Sequence, residues 1–153
     1  MTDGSLARLL VFRVGNLVCA AEVDQVREIL PRLPTTRIPG APPVVAGLVN
    51  VRGTLVTVVE GWRALGQESA VSPAPPLTDA ATGSTIILET ANGLVGFTVD
   101  EVMDMVAVGD AALEDRAALP GVDPRLVRAV GRRQGDLFVV LNVAALLGPI
   151  LST

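Results

Sequence analysis

The chain has 153 residues, of which half are hydrophobic, and its 12 basic and 16 acidic residues give a net charge of −4. It contains no His, no Tyr and no Lys, and Cys19 is its only cysteine. This composition excludes general disorder, an intrachain disulfide, a P-loop and a lysine Schiff base. The acidic balance argues against a partner that is nucleic acid or an anionic membrane.

No apolar run is long enough to span a bilayer, and residues 1–8 lack the charged start and apolar centre of a signal peptide. We therefore predict a cytoplasmic chain that does not itself insert into a membrane and that reaches any membrane through a partner.

The first half of the chain predicts strands joined by tight turns. Alternating apolar residues and turn signals such as Gly15-Asn16 and Arg52-Gly53 predict strands over 6–14, 17–21, 26–30, 48–51 and 54–59. On the third of these strands, Val26, Glu28 and Leu30 are predicted to share one face because side chains alternate. A Pro-punctuated irregular stretch covers 33–43, a helical turn is predicted at Val44–Gly47, and a short helix at Trp62–Leu65.

The second half repeats this order after a Pro-rich stretch at 67–83 that is typical of an exposed linker. Strands are predicted over 84–89, 94–99, 102–106, 130–132 and 137–141. Helical segments are predicted over 111–118, at 125–127 with Asp123 as N-cap, and over Val143–Leu147 with Asn142 as N-cap and Gly148-Pro149 as its end.

An internal repeat relates the two halves. Leu10–Ile29 aligns without a gap with Ile86–Met105, and Gly53–Val59 aligns with Gly135–Leu141. This echo predicts one domain over 6–148, with a first repeat at about 6–66 and a second at about 84–148. Each repeat is predicted to be two hairpins around a connection, and closing such a set into a barrel removes exposed sheet edges. The sequence therefore predicts a mainly β fold of two small packed barrels with short helices.

Catalysis is the weakest of the functional hypotheses. The carboxylates Asp100, Glu101 and Asp104 cluster in one segment, but Asp100 and Glu101 would point to opposite faces of a strand. Without His, the chain lacks the usual general base and the commonest transition-metal ligand. Cys19 lies in an apolar strand and is predicted to be a small core residue. We therefore predict a docking scaffold that has no enzymatic activity and needs no cofactor.

Four segments resemble one family. Gly47-Leu48-Val49-Asn50-Val51-Arg52-Gly53, with the Pro-containing loop before it, resembles the central motif of the CheW-like family of chemotaxis coupling proteins. Leu10-Val11-Phe12 and Val26-Arg27-Glu28-Ile29 resemble its upstream elements, and the segment Val95–Val102 resembles its downstream element. The likeness covers about residues 6–147.

The resemblance implies two five-stranded SH3-like barrels, in agreement with the repeat. It also implies an adaptor that couples a CheA-type histidine kinase, through the kinase's CheW-like regulatory domain, to the cytoplasmic tips of methyl-accepting chemoreceptors. These partners are implied by the resemblance alone.

The resemblance also implies partner-binding residues. Glu28 and Arg52 match an acidic and basic pair near a receptor-facing groove, and Asn50 and Gly53 match positions that shape the same hairpin. Three apolar residues match contact surfaces, namely Val26, Ile87 and Val102. The alternatives are that Gly53 serves only the turn, that Asn50 satisfies backbone groups and that the three apolar residues belong to the core.

The chain departs from the family pattern at Glu60-Gly61-Trp62, where an acidic-apolar-Arg triplet is usual. Gly61 replaces an apolar residue that should pack, and Trp62 replaces the Arg. The alternative function is therefore a divergent member that binds receptors, or serves another chemosensory system of gliding or pilus motility, without activating the kinase.

Overall fold

The computed structural model describes residues 6–66, 83–91, 93–109, 113–115, 123–133 and 135–151. Its strands are β1 (Leu6–Val14), β2 (Leu17–Glu22), β3 (Val26–Pro31), β4 (Val45–Val51), β5 (Thr54–Glu60), β6 (Ser84–Thr90), β7 (Gly93–Val99), β8 (Glu101–Gly109), β9 (Glu114–Asp115), β10 (Val127–Arg133) and β11 (Asp136–Leu141). Its helices are α1 (Gly61–Ala64) and α2 (Val143–Leu151), and 3₁₀ turns lie at Val23–Gln25 and Pro124–Leu126.

The strands form two sheets. The six-stranded sheet has the order β8-β1-β2-β11-β10-β9, and the five-stranded sheet has the order β3-β6-β7-β5-β4. All neighbours are antiparallel except two pairs, β2 with β11 and β5 with β7. Each sheet combines strands from both repeats, because the pairs β3–β6 and β5–β7 join the repeats in one sheet and the pairs β1–β8 and β2–β11 join them in the other.

The two sheets are copies of each other in topology and register. The pair Val26↔Leu88 between β3 and β6 has its counterpart in Val102↔Phe12 between β8 and β1. The parallel pair Thr57↔Val95 has its counterpart in Val139↔Cys19. The internal repeat in the sequence thus corresponds to a repeated strand order and register in the two sheets.

Even the irregularities of the ladders match. A bulge lies in β3 at Arg27 and at the equivalent position of β8, Met103. The outer edge of β4 is covered by Thr36, which exchanges two backbone hydrogen bonds of 2.8 Å with Leu48. At the same place in the other sheet, β9 pairs with β10. β9, the sixth strand of the larger sheet, therefore occupies the position that the Thr36 bridge occupies in the five-stranded sheet.

The main core lies between the sheets, where Phe12 of β1 meets Phe97 of β7 edge to face with ring centroids 6.1 Å apart. A second cluster lies on the other face of the six-stranded sheet, around Val11 and Phe138. Both faces of β1 are buried, which explains its nearly continuous apolar sequence. Removal of this apolar surface from water is the main source of the stability of the fold.

The mainly β fold of two packed, SH3-like sheets with short helices is confirmed. Two aspects of the prediction are corrected: the sheets are not closed barrels, and neither is built from one repeat alone. The pairing of strands between the repeats explains the second correction, and the first follows in the five-stranded sheet because β3 and β4 lie at its opposite edges and do not pair. The division at residues 67–83 stays a prediction, since 67–82 lie outside the described residues.

Two predicted helical segments are wrong in part. Val44–Gly47 is not a helical turn, because a turn closed by Val45 N–H on the Pro42 carbonyl (2.9 Å) ends there and β4 begins at Val45. Within the helix predicted over 111–118, Glu114–Asp115 form a strand, and most of that range lies outside the described residues.

The last helix starts as predicted and ends later. Asn142 caps it, since Oδ1 accepts a hydrogen bond from Ala145 N–H at 3.1 Å. It continues through Gly148 and Pro149 to Leu151, because Ile150 packs against the core between the sheets and holds the last turn in place. Asp123 likewise accepts a hydrogen bond from Arg125 N–H at 2.9 Å, as its predicted N-cap role requires.

Candidate functional site: a groove at the open seam of the five-stranded sheet

The turn between β4 and β5 presents Arg52 to solvent in an unusual backbone conformation. Arg52 has φ of 50° and Gly53 has φ of 86°, and Arg52 is the only residue other than glycine with positive φ in the part of the chain that the structure describes. Asn50 stabilises the turn, because its Oδ1 accepts a hydrogen bond from Gly53 N–H at 2.7 Å. Two consecutive left-handed residues are what a tight two-residue hairpin needs.

Arg52 forms a bidentate ion pair with Glu28. Nη2 donates to Oε1 at 2.8 Å, and Nη1 donates to Oε2. The Arg52 side chain is 72% exposed, whereas that of Glu28 is 23% exposed. The hydrogen bond from Arg52 lowers the pKa of Glu28, and the same bond raises the pKa of Arg52. Both groups therefore stay charged over a wide pH range.

The ion pair bridges the two edges of the five-stranded sheet. Glu28 lies on β3 at one edge, and Arg52 lies at the tip of the hairpin that β4 forms at the other edge. β3 and β4 do not pair with each other. The Glu28–Arg52 pair consequently spans the open seam that a closed barrel would lack.

The bulge at Arg27 corrects the prediction that Val26, Glu28 and Leu30 share a face. Val26 is opposite Leu88, a residue of the core between the sheets, and it packs against that core. Glu28 is opposite Ile87 and lines the groove with it. Opposed residues of antiparallel strands share a face. The extra residue therefore turns Glu28 to the face opposite that of Val26.

A groove of about 320 Å³ lies under the ion pair. Its wall and floor include the apolar residues Val51, Ile87 and Leu94, and Ile87 is only 1% exposed. Its rim carries Arg27 and Thr54 in addition to the Glu28–Arg52 pair. The groove is thus apolar inside and polar at its mouth, as protein binding sites commonly are.

The structure brings five of the seven predicted residues to this end of the sheet. Glu28, Arg52 and Ile87 line the groove, and Asn50 and Gly53 shape the turn that carries Arg52. Val26 and Val102 do not line it: both are partly buried and pack against the core between the sheets.

Sequence reasoning missed four lining residues. These are Arg27, Val51, Thr54 and Leu94. Arg27 forms an ion pair with Glu89 (2.9 Å), on a strand that the repeat assigns to the other half. No local sequence signal marks Arg27, because its position at the groove depends on the bulge in β3 and on the pairing of β3 with β6.

The helix α1 explains the Glu60-Gly61-Trp62 departure. A Cβ at Gly61 would lie 2.2 Å from the Thr98 carbonyl oxygen and 3.0 Å from the Phe97 ring, so no larger residue fits there. Trp62 packs against the core between the sheets. The Arg63 guanidinium lies 4.3 Å from the centre of the Trp62 ring, and its Nε donates to Glu60 at 2.9 Å. An Arg thus still stands on this surface, one position later.

The Cys19 thiol and the carboxylates of Asp100 and Glu101 are accounted for by burial or by contacts within the fold. Burial raises the pKa of the Cys19 thiol to about 12, so it stays protonated at neutral pH. Asp100 accepts a hydrogen bond from Gly15 N–H at 2.5 Å, and Glu101 lies 3.5 Å from Arg13. Over the residues that the structure describes, no group of three His, Cys, Asp or Glu side chains could hold a metal ion, and no helix is long and apolar enough to cross a membrane.

Comparison with known proteins gives the family. A family model described as the CheW-like domain matches residues 8–150. The chain belongs to the CheW-like family. The resemblance inferred from the four sequence segments is thereby confirmed. CheW-like proteins are chemotaxis scaffolds, and this membership also confirms the prediction of a non-catalytic chain.

Individual relatives agree with the family match. The chain is 31% identical over 114 residues to the chemotaxis protein CheW of Rhizobium meliloti (strain 1021), covering 74% of this chain and 68% of the relative. It is 30% identical over 143 residues to the chemotaxis protein CheW of Bacillus subtilis (strain 168), covering 92% and 86%. The crystal structure of the scaffolding protein TtCheW from Thermoanaerobacter tengcongensis matches with a TM-score of 0.81 at 17% identity, covering 95% of this chain and 90% of that one, which shows the shared fold.

Proposed function

We propose that the chain is a cytoplasmic adaptor that couples a CheA-type histidine kinase to the tips of methyl-accepting chemoreceptors. The kinase would bind through its own CheW-like regulatory domain. Family membership supports the pathway, and one observation supports the site: Arg52 is exposed, fixed in a left-handed turn and paired with Glu28 at the mouth of an apolar groove.

The energetics favour a recognition role for this pair over a structural one. Exposed ion pairs contribute little to folding stability because water and salt screen them. A bidentate Arg–carboxylate pair nevertheless fixes the orientation of both side chains, which is useful for the choice and alignment of a partner. The apolar groove beneath would provide the binding energy, since desolvation of apolar surface drives most protein association.

Exchanging the charges of Glu28 and Arg52 distinguishes a recognition role of the ion pair from a structural one. We expect Arg52→Glu and Glu28→Arg each to weaken co-sedimentation with receptor fragments and kinase by about tenfold, corresponding to ~1.4 kcal/mol. The double variant restores an ion pair within the chain, but the acidic and basic side chains have exchanged positions. It should therefore fold normally and still bind weakly.

Arg125→Glu is the matched control, because Arg125 forms a similar bidentate pair with Asp123 and does not line the groove. We expect it to bind like the wild-type chain. Full recovery of binding in the double charge-swap variant would contradict the proposal, since the pair would then act only within the fold.

The second candidate function is a divergent adaptor that binds receptors, or serves another chemosensory system, without activating the kinase. The observation that favours it is Trp62, which replaces an expected Arg and packs into the core while Arg63 stacks on its ring. Co-sedimentation with receptor fragments, with and without kinase, and the kinase autophosphorylation rate separate the candidates. Receptor binding with no kinase stimulation would favour the divergent adaptor.

A further inference from the structure

We propose that Met103 and Met105, on the outer strand β8 of the six-stranded sheet, form a site of reversible oxidation by peroxides. Oxidation turns the exposed apolar surface of β8 into a polar one while the fold stays intact. The inference goes beyond the proposed adaptor function and does not depend on it, because it follows from the positions of the sulfur atoms in the chain.

The accessible sulfur atoms lie on β8. The sequence contains three methionines and one cysteine. Cys19 is fully buried in the core between the sheets, and burial raises the pKa of its thiol to about 12, so it provides no thiolate to react with peroxide. Met1 lies outside the described residues. Met105 is 58% exposed and Met103 is 36% exposed. In the part of the chain that the structure describes, peroxide therefore meets sulfur first on β8.

The position of β8 at the edge of its sheet leaves both thioethers open to solvent. Among the strands that the structure describes, β8 is the last of the six-stranded sheet and pairs only with β1. Met103 is the extra residue of the bulge and has no partner residue on β1. Because one side of an edge strand is unpaired, a small oxidant and the reductase that repairs sulfoxides can both approach from that side.

The fold tolerates oxidation because Met105 lies at the margin of the core. Met105 pairs with Leu10, which is buried in the core between the sheets, and opposed residues share a face. Met105 itself is not a member of that core, and more than half of its surface is in contact with solvent. A sulfoxide at this position is hydrated, so it brings no unpaired polar oxygen into the apolar interior.

The internal repeat shows what oxidation changes. Ile29 of β3 aligns with Met105, is 42% exposed and pairs with Ile86, the residue that aligns with Leu10. Both sheets thus carry an exposed apolar side chain at the same place on an outer strand. Ile29 has no sulfur and does not react with peroxide, whereas Met105 becomes polar. Peroxide therefore changes the edge of one sheet and leaves the equivalent edge of the other unchanged.

The chemical step is an oxygen transfer. A lone pair of the thioether sulfur attacks one oxygen of hydrogen peroxide, an S–O bond forms, the O–O bond breaks and the other oxygen leaves as water. The sulfur is oxidised to a sulfoxide, and the peroxide is reduced. A methionine sulfoxide reductase reverses the change with electrons from thiols, which become a disulfide, and the oxygen is released as water.

The test treats the full chain with hydrogen peroxide and follows each methionine by peptide mass spectrometry, with N-acetyl-methionine amide as the fully exposed reference. Because susceptibility follows exposure, we expect Met105 to react within about threefold of the reference rate and Met103 to react about twofold more slowly than Met105. Cys19 should stay reduced. The oxidised chain should keep a cooperative thermal transition and elute earlier from a hydrophobic-interaction column. Methionine sulfoxide reductase with a thiol should restore both the mass and the elution.

Two variants localise the effect. The double variant Met103→Leu with Met105→Ile removes both sulfur atoms and keeps the surface apolar, with isoleucine taken from the equivalent position of β3. It retains Met1, so any remaining change of its elution measures the contribution of that residue, and we expect this change to be much smaller than in the wild-type chain. Ile29→Met is the matched opposite: it places a thioether at the equivalent edge and should react at a rate similar to that of Met105.

Four results would each overturn the proposal. The first is a rate at Met103 and Met105 more than about tenfold below the reference, since exposure would then not govern the reaction. The second is oxidation of Cys19 before the two methionines. The third is loss of the cooperative transition on oxidation, and the fourth is a sulfoxide that the reductase does not repair. Because no receptor or kinase is present, a negative result here leaves the charge-exchange test of the adaptor role unaffected, and the converse also holds.

Discussion

Arg52 occupies a backbone conformation in which residues with a Cβ are uncommon, and it does so at the tip of a hairpin. Glycine would be the unstrained choice at this position, as it is at the next one, Gly53. An arginine in this conformation raises the conformational energy of the backbone, and it places a guanidinium group at the mouth of the groove. The strain therefore coincides with the site, a pattern often found where local geometry serves function.

The pH response of Glu28 tests the ion pair directly. Its pKa is lowered in the folded chain because Arg52 donates a hydrogen bond to the carboxylate. The contribution of the pair is therefore complete above the unfolded pKa and is lost as pH falls through the lower folded value. We expect carboxyl NMR titration to find the Glu28 pKa below its ordinary 4.5, and to find it restored towards that value in Arg52→Gln.

Asp123 is the internal reference for this titration, since Arg125 lowers its pKa in the same way. Its titration should not change in Arg52→Gln. If the Glu28 pKa were the same with and without the Arg52 guanidinium, the ion pair would not form in solution. The thermal midpoint should change little in either case, because the pair is exposed.

Among individual side chains, the resemblance to the CheW-like family pointed to Glu28 and Arg52, the two partners of the ion pair, but not to the residues around them. The hairpin signal at Arg52-Gly53 placed Arg52 at the tip of a turn, and the family resemblance implied its recognition role. Arg27 and Leu94 could not be predicted, because strict alternation has no place for a bulge and because the β3–β6 pairing joins residues about sixty positions apart. Long-range pairing leaves no local pattern in a sequence.

Among the elements, α1 depends on a very close approach to β7. Gly61 N–H donates to Thr98 Oγ1 at 3.1 Å, and a Cβ at Gly61 would lie 2.2 Å from the Thr98 carbonyl oxygen. The glycine lets the helix begin directly on the sheet. The expectation that an apolar side chain should pack at position 61 is therefore wrong for this chain, since Phe97 already fills that space.

We predict that Gly61→Ala destabilises the chain by about 1–3 kcal/mol, the usual cost of forcing an extra methyl group into a packed region. The free energy of unfolding from urea titration measures this. Gly148→Ala is the matched control: it lies in helix α2, a Cβ there meets nothing within 4 Å, and alanine is the better helix former by up to about 1 kcal/mol. Equal effects of the two substitutions would show that the approach of α1 to β7 is not restrictive.

Features that depend on contacts between neighbouring residues could be predicted from the sequence, whereas features that depend on contacts with distant residues could not. The caps at Asp123 and Asn142 were correct because a capping side chain acts within three residues. The end of the last helix was wrong because Ile150, by packing against a distant core, holds the helix past Pro149. Val44–Gly47 was wrong because pairing with Val59 made Val45 a strand residue.

For the molecule as a whole, the repeat predicted two similar β units but not how they are interlaced. Sequence similarity fixes which strands correspond, such as β1 with β6 and β3 with β8. It does not say whether β3 pairs within its own repeat or with the other one. In the structure β3 pairs with β6 and β5 with β7, while β8 pairs with β1 and β11 with β2, so each sheet combines several strands from each half.

This interlacing predicts that neither half folds alone. If the chain is divided at Ala74-Pro75 and the halves are expressed separately, the first half lacks β6 and β7, which hold β3 and β5, and the second half lacks β1 and β2, which hold β8 and β11. Each half would also expose the residues that it contributes to the core between the sheets. We expect separate halves to lack a cooperative thermal transition by circular dichroism, and an equimolar mixture to recover one through a 1:1 complex. A cooperative transition in either isolated half would mean that the strands can pair within one repeat, and that the exchange of β3 and β8 does not hold the two sheets together.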